Sequence, residues 1–161
     1  MSQQNPSQVI PAPTSLRLKV GAGRLGSIDA AAIAKAEAAL KSLSGNFDQW
    51  LQDEITKLEG ARQQVKVAGV SAETMENLYL RAHDLKGLGT TYGYQLITRI
   101  AASLCRLIDE KDKRLGSPMG LVDAHIDAIK AAVREGMKAD DHPLGSALVT
   151  ELERRVKEAG C

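Results

Sequence analysis

A histidine stands within the run Leu80-Arg81-Ala82-His83-Asp84-Leu85-Lys86-Gly87-Leu88-Gly89-Thr90-Thr91-Tyr92-Gly93, with a lysine three residues on and a glycine four residues on. At about 3.6 residues per turn, Met75, Leu78, Ala82, Leu85, Gly89 and Tyr92 fall on one face of a helix. Glu76, Tyr79, His83, Lys86, Gly87 and Thr90 fall largely on the other. The spacing predicts a water-facing imidazole, with Lys86 and Gly87 one turn along the same surface. Such a ring is mostly neutral and nucleophilic near pH 7 without elaborate tuning. An ammonium beside it can stabilise a phosphoryl group carried on nitrogen, because charge-assisted contacts to phosphate oxygens are among the stronger hydrogen bonds. Glycine within a helix costs about 1 kcal/mol relative to alanine, so an exposed Gly87 next to a nucleophile points to the close approach of something large, such as another protein. Gly89 projects instead to the apolar face, where it lets a neighbouring helix pack closely.

The pattern His83-x-x-Lys86-Gly87, with Gly93 ten positions after the histidine, resembles the signature of histidine-containing phosphotransfer domains. The motif region, Met75 to Asp112, spans about a quarter of the chain. The resemblance implies a helical bundle protein of a bacterial multistep phosphorelay. In that setting His83 accepts a phosphoryl group from the aspartate of one response-regulator receiver domain and passes it to another. It further implies that Lys86 assists the phosphate, that Gly87 clears the docking face and that Gly93 turns the chain into the next helix. The implied partners are receiver domains and a hybrid sensor kinase, with Mg²⁺ supplied by the receiver and no cofactor of the chain's own. Several members of the family carry a glutamine on the following helix that orients the imidazole. The corresponding position here holds Cys105, a thiol with little hydrogen-bonding capacity, which leaves Ser103, Arg106 and Arg99 as alternative neighbours. Tyr79, Leu80, Gly87, Thr90 and Thr91 are the docking-surface candidates around His83.

Phosphoryl transfer is mainly positioning and charge stabilisation, and a helix that supplies a nucleophile and one cation suits it. The chain carries no Gly-x-x-x-x-Gly-Lys-Ser/Thr loop and no nucleotide-binding kinase pattern, so it is expected to be a phosphocarrier rather than an enzyme. The alternative is a non-catalytic helical adaptor that binds receivers or other signalling proteins without carrying phosphate. Metal catalysis is disfavoured: His125 and His142 lie far from His83 in sequence, and neither a His-Glu-x-x-His nor a paired-carboxylate motif occurs. His125 is expected at the surface or partly packed, and His142 at a helix start.

These residues need a rigid helical frame, and the composition supplies one. Aromatics are 3% of 161 residues, while Ala, Leu, Lys, Glu and Arg abound, which favours helices over strands. The expected class is all-α: an antiparallel four-helix bundle with additional flanking helices. One domain accounts for the length. A formal net charge of +1 with mixed signs provides no overall field for nucleic acid or an anionic membrane. No apolar run reaches the roughly 20 residues of a membrane span, and residues 1–26 lack a signal peptide's order of basic then apolar residues. A cytoplasmic monomer is expected. Two cysteines make no framework: Cys105 reads as a core thiol and Cys161 as exposed.

Residues 1–26, rich in Gln, Ser, Pro and Gly, read as a flexible arm, with Leu16 to Val20 as an extended strip that could pack on the bundle. The domain is expected from 27 to 161. Ser27 or Asp29 would cap a first helix ending near Leu43, and Ser44-Gly45-Asn46 would break it from a second carrying Phe47, Trp50, Leu51, Ile55, Leu58, Ala61 and Val65, with Trp50 in the core. Gly69 ends that helix and Ser71 caps the histidine helix. A fourth helix runs from about Gln95 to Lys113, with Leu96, Ile100, Ser103, Leu104, Leu107 and Ile108 inward. A fifth begins near Met119, and Pro143 suits the first position of the sixth.

Overall fold

The computed structural model describes residues 30–161. The arm at 1–26, the strip Leu16 to Val20 and the caps Ser27 and Asp29 lie outside the described residues. The chain divides into two compact units, residues 1–42 and 43–161. The described part of the first is helical and exposed along its length. The second holds the core and every residue of chemical interest.

Among the described residues all regular structure is helical. In chain order the helices are α1 (Ala30–Ala68), α2 (Ala72–Thr91), α3 (Gln95–Ile108), the single turn α4 (Lys111–Arg114), α5 (Met119–Arg134) and α6 (Pro143–Glu158). No helix among them is long and apolar enough to cross a membrane.

The break expected at Ser44-Gly45-Asn46 is absent, for α1 runs through it. Three weak helix formers cost a few tenths to about 1 kcal/mol each. A new helix must pay again for a nucleus that fixes several residues around one hydrogen bond, so continuation through the weak spot prevails.

In the second unit the apolar stripe of α1, Leu51, Ile55, Leu58, Ala61 and Val65, joins a core shared with α2, α3, α5 and α6. Helix α3 lies against α2, α5 and α6, and nine of its 14 residues are buried. All six of its expected inward positions are among them. Trp50 departs from expectation: it is 47% exposed, making tilted ring contacts at the margin of the core with Phe47 and Tyr92 at 5.6 and 6.3 Å between ring centroids. The buried stripe of α1 passes through its neighbour Leu51 and leaves the indole at its edge. Arg62, buried beside that stripe, donates to Asp127 of α5 at 2.7 Å and pairs with Glu59, joining α1 to α5.

Helix α3 stops at Ile108, short of the expected Lys113. Arg114 explains the stop. It is 4% exposed, and its guanidinium folds back to take the carbonyls of Ile108 and Asp109 from Nε and Nη2, at 2.5 and 3.0 Å. A side-chain cation caps the helix end and turns the chain.

His125, expected at or near the surface, is fully buried on α5. Nδ1 lies 2.7 Å from the Leu121 carbonyl and Nε2 2.9 Å from the Ser103 hydroxyl. A carbonyl only accepts, so Nδ1 carries the hydrogen and Nε2 accepts from Ser103. Burial pushes the pKa of this imidazole below its ordinary value, against the opposing pull of the Leu121 carbonyl. Above about pH 6.5 both folded and unfolded chains hold it neutral, and it adds no pH dependence. Below that, the unfolded chain takes up a proton that the folded chain refuses. Stability therefore falls with pH until the lowered folded value is reached, at a slope approaching about 1.4 kcal/mol per pH unit. Urea midpoints at pH 7 and pH 5 check this: the wild type should drop, and His125→Gln should drop less.

Candidate functional site

Both ends of α2 are fastened by local sequence. At the start, Ser71 Oγ accepts from the Thr74 amide at 3.1 Å and Thr74 Oγ1 accepts from the Ser71 amide at 3.0 Å, a reciprocal box. At the end, Gly93 adopts φ +79°, its amide reaching the Thr90 carbonyl while the Tyr94 amide reaches that of Gly89 at 2.7 Å. That pair of bonds is a Schellman motif, and it needs a left-handed residue at Gly93. Gly93 thus turns the chain from α2 into α3.

Between these fixed ends, Met75, Leu78, Ala82, Leu85 and Gly89 are buried, Tyr92 is half-buried and His83 is exposed. The imidazole borders a shallow groove of about 450 Å³ between α1 and α2, lined by Glu54, Lys57, Arg81, His83, Asp84, Gly87 and Leu88. Two ion pairs edge it, Lys57 with Glu54 at 2.6 Å and Arg81 with Asp84 at 3.6 Å. The α1 wall escaped the sequence reading. Its only trace there is the i,i+3 spacing of Glu54 and Lys57 on the polar face.

Around the ring, Leu80 is 45% exposed, and Gly87, Thr90 and Thr91 are exposed as well. A Cβ added at Gly87 would meet nothing within 4 Å. The fold does not need that glycine. At Gly89 a Cβ would come within 2.5 Å of Thr98 Oγ1 and 3.0 Å of the Thr98 nitrogen, so this glycine is what lets α3 approach α2. Thr90 bonds the same Thr98 hydroxyl at 3.1 Å, tying one docking candidate to the α2–α3 seam.

On the other flank of His83 lie Tyr79 and Lys86, both half-buried. Lys86 makes no ion pair with any described residue, and its charge reaches Cys105 of α3. Cys105 is buried as expected. Burial pushes its thiol up to about 11, Asp109 adding to the effect and Lys86 opposing it, so it is a poor thiolate at neutral pH. Of the alternative neighbours, Ser103 is inside on His125, and Arg99 pairs with Glu153 at 3.0 Å and Asp140 at 3.6 Å. Arg106 is exposed. Tyr79, with its ring centroid 6.0 Å from that of His83, is the aromatic neighbour.

His142 caps α6, its Nδ1 accepting from the Gly145 amide at 3.3 Å. Among the described residues no three His, Cys, Asp or Glu side chains gather as metal ligands. No family model, no curated protein and no solved structure matches the chain.

Proposed function

We propose that the protein is a histidine phosphotransfer protein of a bacterial phosphorelay, a cytoplasmic phosphocarrier built on a four-helix bundle with flanking helices. One observation carries the reading: an exposed imidazole on a helix fastened at both ends, with an ammonium three residues on that has no ion pair among the described residues and, at four, a glycine for which the packing has no use. A fold keeps a helix-weakening residue at such a place when the space above it is needed.

The partner is a receiver domain bearing an aspartyl phosphate, which brings its own acidic pocket and Mg²⁺. The lone pair of one His83 ring nitrogen attacks phosphorus as an N–P bond forms. The P–O bond to the aspartyl carboxylate breaks, and its electron pair stays with the carboxylate. The proton on the other ring nitrogen leaves to water. Transfer to a second receiver reverses these changes. Lys86 holds a phosphoryl oxygen, while Gly87, Leu80 and Thr90 border the docking surface.

The test is incubation of the purified protein with a panel of receiver domains loaded from acetyl phosphate. Acid-labile, alkali-stable label on the protein is the expected result; absence of label across the panel, with the helices intact, overturns the reading in favour of an adaptor. Lys86→Ala should slow labelling about 10- to 100-fold, the equivalent of the roughly 1.5–3 kcal/mol of a charge-assisted hydrogen bond, and leave the unfolding free energy within about 0.5 kcal/mol of wild type. A rapid-quench time course measures the first, and denaturation followed by circular dichroism the second.

A further inference from the structure

Tyr79 precedes His83 by one turn of α2, and the two rings are tilted at 40° to each other. The tyrosine ring is itself gripped. The Arg114 guanidinium lies 4.5 Å from its centroid. That guanidinium is buried and cannot drift, because Nε and Nη2 hold the Ile108 and Asp109 carbonyls and Nη1 pairs with Glu76 of α2. A buried cation is costly unless every donor is met, and here each nitrogen has a partner. The Tyr79 hydroxyl lies near the Asp109 carboxylate, whose charge pushes its pKa up. Among the described residues no hydrogen bond reaches the His83 ring. The side chain beside it that is held in place is an aromatic one, fixed from the α3–α4 corner.

We propose that Tyr79, clamped by Arg114 and Asp109, is the positioning residue of His83, its ring forming a wall that limits rotation of the imidazole. A tilted aromatic pair at this separation lies within the range where ring contacts are attractive, and a fixed ring leaves its neighbour fewer rotamers. The benefit to transfer is geometric, since a nucleophile aimed at phosphorus loses less freedom on reaching the transition state. Its consequence for rate rests on the phosphotransfer reading; its effect on the ring does not.

The experiment uses the full chain with ¹³C-labelled histidine, His83 being assigned by its loss in His83→Gln. Ring Cε1 relaxation is compared in wild type, Tyr79→Leu, Tyr79→Phe and Asp109→Ala. The expected result is a clear fall in His83 ring order in Tyr79→Leu and a smaller, matching fall in Tyr79→Phe and Asp109→Ala, which keep the ring under Arg114 and each lose the contact between hydroxyl and carboxylate. Asp109 is exposed, so its variant keeps the test open if Tyr79→Leu does not fold. With a receiver domain that labels the wild type, Tyr79→Leu should lower the saturated transfer rate about ten-fold with the half-saturating receiver concentration unchanged. Ring order equal to wild type in a folded Tyr79→Leu, or in Asp109→Ala should Tyr79→Leu not fold, overturns the proposal. So does a rise in the half-saturating concentration at constant rate, which would make Tyr79 a docking residue. If ring order falls as expected while no receiver labels even the wild type, the positioning role stands and the phosphotransfer reading fails.

Discussion

His83→Gln is expected to reduce phosphoryl label to background with every receiver that labels the wild type, and to leave the unfolding free energy from urea titration within about 0.5 kcal/mol of it. The two halves follow from one fact, the exposure of the ring. Among the described residues no hydrogen bond involves the imidazole, so folding gains little from it beyond a tilted contact with Tyr79. Glutamine keeps the length and a polar end but offers an amide nitrogen whose lone pair is delocalised into the carbonyl, and it cannot form an N–P bond of this kind. The other histidines cannot take over. Both nitrogens of His125 are engaged in the core and Nδ1 of His142 is committed to a helix cap. Residual label on His83→Gln, mapped by peptide analysis, would place the phosphoacceptor elsewhere.

Gly87→Ala and Gly89→Ala, two residues apart, should move stability in opposite directions. At Gly87 the new methyl meets no neighbour, so the helix gains about 1 kcal/mol from propensity alone. At Gly89 the same gain is outweighed. The methyl presses on Thr98 Oγ1 at 2.5 Å, on its nitrogen at 3.0 Å and on the Tyr94 carbonyl at 3.1 Å. The hydroxyl must leave its bond to Thr90, worth about 1 kcal/mol, and the backbone contacts resist at an overpacking cost of about 1–3 kcal/mol. A net loss of about 2 kcal/mol is expected, a spread of roughly 3 kcal/mol between the two variants. Paired urea titrations measure it. Gly87→Leu extends the test to docking: its side chain would stand where the partner must come, so a folded protein with weakened receiver binding is the expected outcome.

The facing of α2 and α3 was legible because each carries an amphipathic period undisturbed by long-range demands. The caps at Ser71 and Gly93 were legible because they depend on a handful of consecutive residues. What escaped the sequence depends on partners distant in the chain. Arg114 sits among Lys111, Asp112 and Lys113 and reads as one more solvated charge; only folding brings it to Glu76, Tyr79 and its own preceding carbonyls. His125 reads as a polar interruption of α5 until Ser103 is placed opposite it. Conversely, Trp50 has the spacing of a core residue, but periodicity gives a direction without saying how wide the covering surface is. The α1 wall of the groove was hidden for a similar reason, since Glu54 and Lys57 have the composition of ordinary surface.

The position of Trp50 has an optical consequence. It is the single tryptophan of the chain, close to half in water, with its ring against Phe47 and Tyr92 and one helical turn from Glu54 at the groove edge. Indole emission shifts to shorter wavelength as water is stripped from it, and quenching depends on what replaces that water. A partner settling over the groove would thus announce itself in the native fluorescence of the protein, with no dye attached and no residue changed.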